Sequence, residues 1–284
     1  MRSKPLGLGV LVLVTTYLSG GLAAFAQTDP AQKDTAPIYL GQEMSLDILY
    51  SGRVFGIPVM RAKVSAAFVG ESYAARAHFK SSGLMALFKS ISVVASASGQ
   101  IKQSTLITQD YWHKELDGRK NRQLSMARDP EKVTVRADPP LRSMGDPIAS
   151  MEQRLEALDP VSAILALALR GGAAGRADQC AGSIKVFDGK QRYNLRLEAM
   201  GLEHIRTRAY QGQALRCNAW YVPVAGFDPD DLAEALAHPH PVTIWLADEA
   251  QSGLRVPVRF EARLDFGTAR VDARKIEIKV KTRP

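Results

Sequence analysis

The amino-acid sequence predicts a mainly β protein: a large curled antiparallel sheet, a half-barrel or β-spiral, wrapped around a buried helix, with a second short helix. Three observations carry that expectation. Apolar and polar residues alternate at period two along much of the chain, most clearly at Met44–Tyr50, Met60–Phe68, Tyr73–Phe79 and Val256–Phe266, as half-buried strands require. The connections are short and hold glycine, as at Val69-Gly70-Glu71, which favours hairpins between sequence neighbours. One segment, Val161–Arg170, is apolar nearly all round, so it belongs inside the sheet rather than on a surface.

Taken in order, the chain begins with Arg2 and Lys4, an apolar run from Leu6 to Leu22, and the small-x-small end Ala24-Phe25-Ala26 before Gln27. That is the layout of a secretory signal peptide, and cleavage is expected between Ala26 and Gln27. A retained anchor is the competing reading, because the run is nearly long enough to span a bilayer. No cysteine follows the small residues, which argues against a lipid anchor, and no second apolar stretch approaches spanning length. With no glycosylation sequon present, the expected location is the periplasm of a Gram-negative bacterium, as a soluble exported protein. Residues 27–38 are polar and contain proline, so a disordered leader is expected there, followed by a single β-rich domain over 39–284.

Within that domain, further strand-like runs fall at 91–101, 105–114, 120–127 and 131–137. Pro139, Pro140, Gly145 and Pro147 then mark a loop over 138–150. Asp159-Pro160 opens the apolar helix with an N-cap and a proline at the first helical position, and Gly171-Gly172 supplies the stop. Ile184–Phe187 and Tyr193–Leu197 flank Asp188-Gly189-Lys190, a hairpin signal. Residues 202–210 and 214–224 read as another strand pair, Phe227–Ala237 as the second helix, Thr243–Leu246 as a buried strand, and Ile276–Val280 as the last strand.

Composition narrows the function classes. With 46% apolar and 23% charged residues, neither a disordered chain nor a multi-span membrane protein fits. The formal charge of +8 becomes +6 once Arg2 and Lys4 leave with the signal. Lys114, Arg119, Lys120 and Arg122 and the other cations are spread rather than blocked, so nucleic acid is not an expected partner. An anionic membrane surface is a better match, and a plain solvated face is the simplest reading. Cys180 and Cys217 are the only cysteines. An even pair in an oxidising compartment favours one structural disulfide. Neither histidines at metal-ligand spacing nor a Cys-x-x-Cys redox pair is present.

Several motifs together resemble a known family. Asp159-Pro160-Val161-Ser162-Ala163, Cys180, and Val186-Phe187-Asp188-Gly189-Lys190-Gln191-Arg192-Tyr193 are similar to the bacterial exported family called domain of unknown function 3108. Cys217, Trp245-Leu246, Val256-Pro257-Val258 and Phe266-Gly267 look like its C-terminal half. The match spans roughly residues 40–280. The resemblance implies a periplasmic β-rich protein with no catalytic residues to carry over, and related envelope proteins suggest a broad sheet curled around a helix.

No Gly-x-Ser-x-Gly elbow, phosphate-binding loop or His-Glu-x-x-His helix occurs, so no catalytic, cofactor-binding or metal-ligating residue is assigned. Asp228-Pro229-Asp230-Asp231 lacks the glycine and distal glutamate of a calcium loop and reads as a helix start. Between Lys80 and Lys89 lies an apolar interruption, and its Leu84, Leu87 and Phe88 are expected at the mouth of a ligand site or on a membrane-touching lip; a short core-packing helix is the plainer reading. Trp112, Trp220 and Trp245 suit either a cavity wall or the core. The expected role is therefore non-enzymatic: a periplasmic protein that supports the cell envelope and binds a lipid, a lipoprotein segment or another apolar ligand within the sheet. An envelope hydrolase and a structural module docking through its sheet edge are the alternatives, with an apolar ligand or an envelope protein as the partner.

Overall fold

The computed structural model describes residues 42–83, 86, 91–102, 105–116, 121–169, 180–237, 240–249, 252–264 and 267–282. The signal segment with Ala26 and Gln27, the leader, the Gly171-Gly172 stop, and Leu84, Leu87 and Phe88 lie outside them. Thirteen strands follow in sequence: β1 (Gln42–Val54), β2 (Ile57–Val69), β3 (Ser72–Ser81), β4 (Ser92–Lys102), β5 (Thr105–Glu115), β6 (Gln123–Arg128), β7 (Val133–Asp138), β8 (Ser183–Phe187), β9 (Arg192–Arg206), β10 (Gln211–Ala225), β11 (Val242–Asp248), β12 (Arg255–Leu264) and β13 (Gly267–Thr282). Between β7 and β8 come α1 (Met151–Leu155) and α2 (Pro160–Leu169), and α3 (Pro229–Ala237) follows β10.

All thirteen strands join one antiparallel sheet in the order β7-β6-β5-β4-β3-β2-β1-β13-β12-β11-β10-β9-β8. Sequence neighbours pair throughout except β7 and β8, and β1 also pairs with β13, from Gln42 opposite Thr282 to Val54 opposite Ala269. The first and last strands thus meet mid-sheet, and the two free edges, β7 and β8, come from the middle of the chain. The expected curled sheet around a helix is what forms, and it stays unclosed.

The period-two pattern sorts the faces. Met44, Leu46, Ile48 and Tyr50 of β1, Phe68 of β2, Tyr73 of β3 and Tyr111 of β5 are buried on one side, and α2 packs there against β3, β4, β5, β8 and β12. Val161, Leu165 and Leu169 of α2 enter the main core, while Ala163 and Leu167 reach a second cluster with Cys180 and Cys217. Those two cysteines form the expected bridge, with Cα atoms 6.0 Å apart, within the range disulfides allow.

Three features differ from the sequence reading. The runs at 193–197 and 202–210 are joined in one strand, β9, which ends at Arg206, because Gly201 at φ +93 bends the chain without ending it. The last strand begins at Gly267 and runs 16 residues, since β1 pairs with it from Ala269 to Thr282 and its first residues, Gly267 to Asp272, also pair with β12. The helix α1 was hidden by its length, although Ser150 and Gln153 make a full capping box.

Candidate functional site

The unclosed sheet leaves a slit between β7 and β8, and the family-like motifs gather along it. At its core end, Asp159 caps α2: its Oδ1 accepts the N–H groups of Val161 (2.8 Å) and Ser162 (3.0 Å). Its Oδ2 accepts the Thr108 hydroxyl at 2.7 Å. The Tyr73 hydroxyl lies 2.7 Å from Ser162 Oγ and donates to Thr108 Oγ1 at 3.4 Å. Asp159 and Ser162 are fully enclosed, so each polar group in this network must be satisfied by another. Burial pushes the Asp159 carboxyl above its ordinary range, against the hydrogen bonds from Ser162, Thr108 and Val161. Burial likewise pushes the Tyr73 phenol up to about 12. The cap expected at Asp159 is present, and its link to β3 and β5 could not be seen in sequence.

Along the slit, α1 is laced to both sides. Arg128 of β6 donates to the Leu155 carbonyl. From the other side Arg192 of β9, 2% exposed, donates to the Gln153 carbonyl at 3.0 Å and pairs with Glu156 at 3.0 Å. Lys185 of β8 reaches the same Glu156 at 2.5 Å. A one-residue parallel bridge, Leu158 to Val186, covers part of the β8 edge. At the far end, the Asp188-Gly189 turn crosses the slit and lies on Leu124 of β6. A Cβ at Gly189 would sit 2.6 Å from a Leu124 methyl, and the backbone there has φ +105. Asp188 Oδ1 accepts the N–H groups of Lys190 and Gln191, as a turn requires. Lys190 then reaches Asp228 at 2.6 Å and Asp231 at 3.0 Å, and Ser143 donates to Asp228 at 2.6 Å. The acidic run at 228–231 thus fastens α3 to the turn, and the Pro-rich segment at 138–150 is a bracket rather than a linker.

Beside this turn, Tyr111 and His113 of β5 and Tyr193 of β9 form a polar aromatic cluster. The Tyr111 and His113 rings are 5.6 Å apart, and Tyr193 stacks on Tyr221 at 4.5 Å. Burial holds the His113 imidazole below its ordinary pKa and the Asp188 carboxyl above its own. Buried Asp159 and half-buried Asp188 each have an oxygen engaged by backbone N–H groups of the residue's own helix or turn, which suits structural more than acid–base work.

The opposite face of β1–β7 carries a different feature, one that sequence inspection missed. Cross-strand register places Asp47, Ser65, Arg76, Ser96, Trp112, Ser125 and Arg136 side by side in one row. The next row, from Ser45 through Ala67, Ala74, Ser98, Asp110 and Ala127 to Thr134, is made of small or short side chains. Together they line a trough of about 840 Å³. Arg76 and Arg136 stand four strands apart, about 19 Å at a strand spacing of about 4.8 Å, with Trp112 midway. Neither guanidinium has a carboxylate partner among the described residues. Asp47 at the end of the row is held by Ser65 (2.7 Å) and Lys63 (3.0 Å), which keep its carboxyl below the ordinary range. The only signal available in sequence was the smallness of the alternate residues, which is also what a plain solvated face shows. Trp220 and Trp245 lie elsewhere, stacked under Arg196 and between Arg216 and Arg259.

Among solved structures, this chain is similar to a beta-barrel-like protein of domain of unknown function DUF1849 from Brucella abortus. Identity is 12% and the TM-score 0.47, over 84% of this chain and 98% of that one. No curated protein matches the chain. The model of the family described as protein of unknown function DUF3108 matches residues 45–274, the span that holds the slit motifs, the disulfide and the trough, and the chain belongs to that family.

Proposed function

We propose that this is an exported, non-enzymatic protein of the bacterial envelope that binds an elongated, polar, anionic ligand in the trough of β1–β7. The observation that carries this reading is the row Arg76, Ser96, Trp112, Ser125, Arg136 along a cavity of about 840 Å³. A central indole offers a stacking surface, flanking hydroxyls offer hydrogen bonds, and outer guanidinia offer bidentate contacts to carboxylate or phosphate. A glycan strand bearing acidic groups has that chemistry. Export is supported by the charged, apolar and small-residue order of residues 1–26 and by the Cys180–Cys217 bridge. The non-enzymatic reading rests on the Asp159 and Asp188 carboxylates being committed to a helix cap and a turn. Calorimetric titration with oligogalacturonates, against neutral cello-oligosaccharides, tests the ligand class. Saturable binding of the acidic series, weakened by Trp112→Ala and by Arg76→Gln with Arg136→Gln, is the expected outcome. Binding that ignores these three residues, or no binding of either series, overturns it.

One observation favours a second reading, an apolar ligand on the helix side. Phe79 shares the inward face of Tyr73 and Ala75 yet is 37% exposed. A fatty-acid retention assay discriminates: retention that Leu87→Glu weakens without lowering the melting temperature supports it.

A further inference from the structure

We propose that the β1–β2 hairpin end of the sheet docks on the surface of an anionic lipid bilayer. The tip, Phe55-Gly56, has both residues at positive φ, +50 and +78, and the Phe55 ring lies over Gly267 with most of its surface open. Phe55 is 71% exposed and Ile57 44%, and Leu116, at the same end beside β4, is 42% exposed. An aromatic and two aliphatic side chains at hairpin ends are the residues that enter the headgroup boundary of a membrane.

The charges beside the tip point to an anionic partner. Arg53, Arg61 and Lys80 are exposed on the outward face and have no ion-pair partner among the described residues. In the register Arg61 stands directly opposite Lys80, and Arg53 directly opposite Arg270. Like charges placed opposite each other cost stability, so the fold gains nothing from this arrangement, whereas an anionic surface is attracted to it. The nearby carboxylates do not cancel the excess. Glu261 is taken by Arg270 at 2.6 Å and Asp272 by Arg259 at 2.6 Å, which leaves Arg53, Arg61 and Lys80 free to meet phosphates. Lys80 lies four residues along β3 from Arg76 of the trough, about 13 Å at strand rise, so docking would hold the trough close to the headgroups.

The test is co-sedimentation of the exported protein with vesicles of phosphatidylglycerol and phosphatidylcholine, against vesicles of phosphatidylcholine alone. All variants keep the same N-terminal residues, so differences between them report the hairpin end. The wild-type protein is expected to bind the anionic vesicles only, and less at higher salt. Arg53→Gln with Arg61→Gln should weaken binding about twenty-five-fold, at about fivefold for each cation, and Phe55→Ser by tenfold or more. Because the Phe55 ring lies over Gly267, Ile57→Ser serves as a second apolar probe that leaves that contact in place. Wild-type protein that fails to pellet with anionic vesicles, or pellets equally with both kinds, overturns the proposal. So does binding that neither Ile57→Ser nor the paired arginine substitution weakens. None of these outcomes depends on whether the trough holds a ligand.

Discussion

Replacing both cysteines, Cys180→Ala with Cys217→Ala, should lower the unfolding free energy by about 4 kcal/mol. The figure comes from the loop that the bridge closes, a sequence separation of 37, through the chain-entropy relation for cross-linked unfolded chains. The native side adds little, because alanine keeps both sites apolar; they are 1% and 0% exposed in a cluster with Ala163, Leu167, Ile184 and Val186. Loss of the sulfur volume adds at most about 1 kcal/mol. The assay is equilibrium urea unfolding of the oxidised protein and the double variant, followed by far-ultraviolet circular dichroism and by tryptophan fluorescence. The slope of free energy against urea should steepen in the variant, because an uncrosslinked unfolded chain exposes more surface. The effect should also be local. Cys180 precedes β8, an edge strand paired only with β9 and touched by Leu158, whereas Cys217 sits in β10 opposite Ala199 of β9. Amide exchange in β8 should therefore rise before exchange in β1 or β13. A stability difference under about 1 kcal/mol with an unchanged slope would refute the entropic reasoning, and two free thiols in unreduced, unfolded protein would refute the bridge.

Four further outcomes follow from the slit. Asp159→Ala removes the α2 cap, about 1 kcal/mol, and strands the Thr108 hydroxyl in the core at a further 1–3 kcal/mol or so, which thermal melting will read as a large drop. Asp159 has a raised folded-state pKa, so its contribution is fully present below the unfolded carboxylate value of about 3.9 and is lost as pH rises through the folded value; melts across pH should show Asp159→Asn gaining on the wild type from acid toward neutrality. Arg192→Met should cost about 3 kcal/mol by removing the buried contacts to Gln153 and Glu156, with α1 losing exchange protection before the sheet does. Gly189→Ala should cost about 2 kcal/mol, and Leu124→Ala should recover part of it in a double-mutant cycle, since the backbone strain stays while the clash goes.

The strands were legible because burial on one face leaves a period-two trace, and Met44, Leu46, Ile48 and Tyr50 carry it in a single glance. The α2 start was legible for a local reason: Asp159 and Pro160 act on their immediate neighbours. Register was not. That Arg76 stands beside Ser96 and Ser96 beside Trp112 depends on hairpin lengths and on a bulge between Ser98 and Gly99, none of which alternation encodes. The trough therefore escaped a reading that tracked apolar residues, because it is made of the polar half of each strand. Arg192 escaped for a similar reason: an arginine in a polar hairpin looks solvated until α1 is laid over it.

The meeting of β1 and β13 in mid-sheet sets the order in which the molecule can be assembled. A chain emerging from its N-terminus builds β1–β7 as a run of hairpins, each closed soon after it appears. Yet β1 then has one row of backbone groups without a partner, and Met44 must wait for Val280 to satisfy it. That interval spans nearly the whole length of the chain, the kind of distant pairing that slows folding, and it leaves a long exposed edge at which a second chain can add. Loss of β13 would bare β1 and β12 together and turn one sheet into two sticky meanders. Conversely, a cut between β7 and β8 severs no strand pair, so the two halves, made apart, should find each other through β1 and β13.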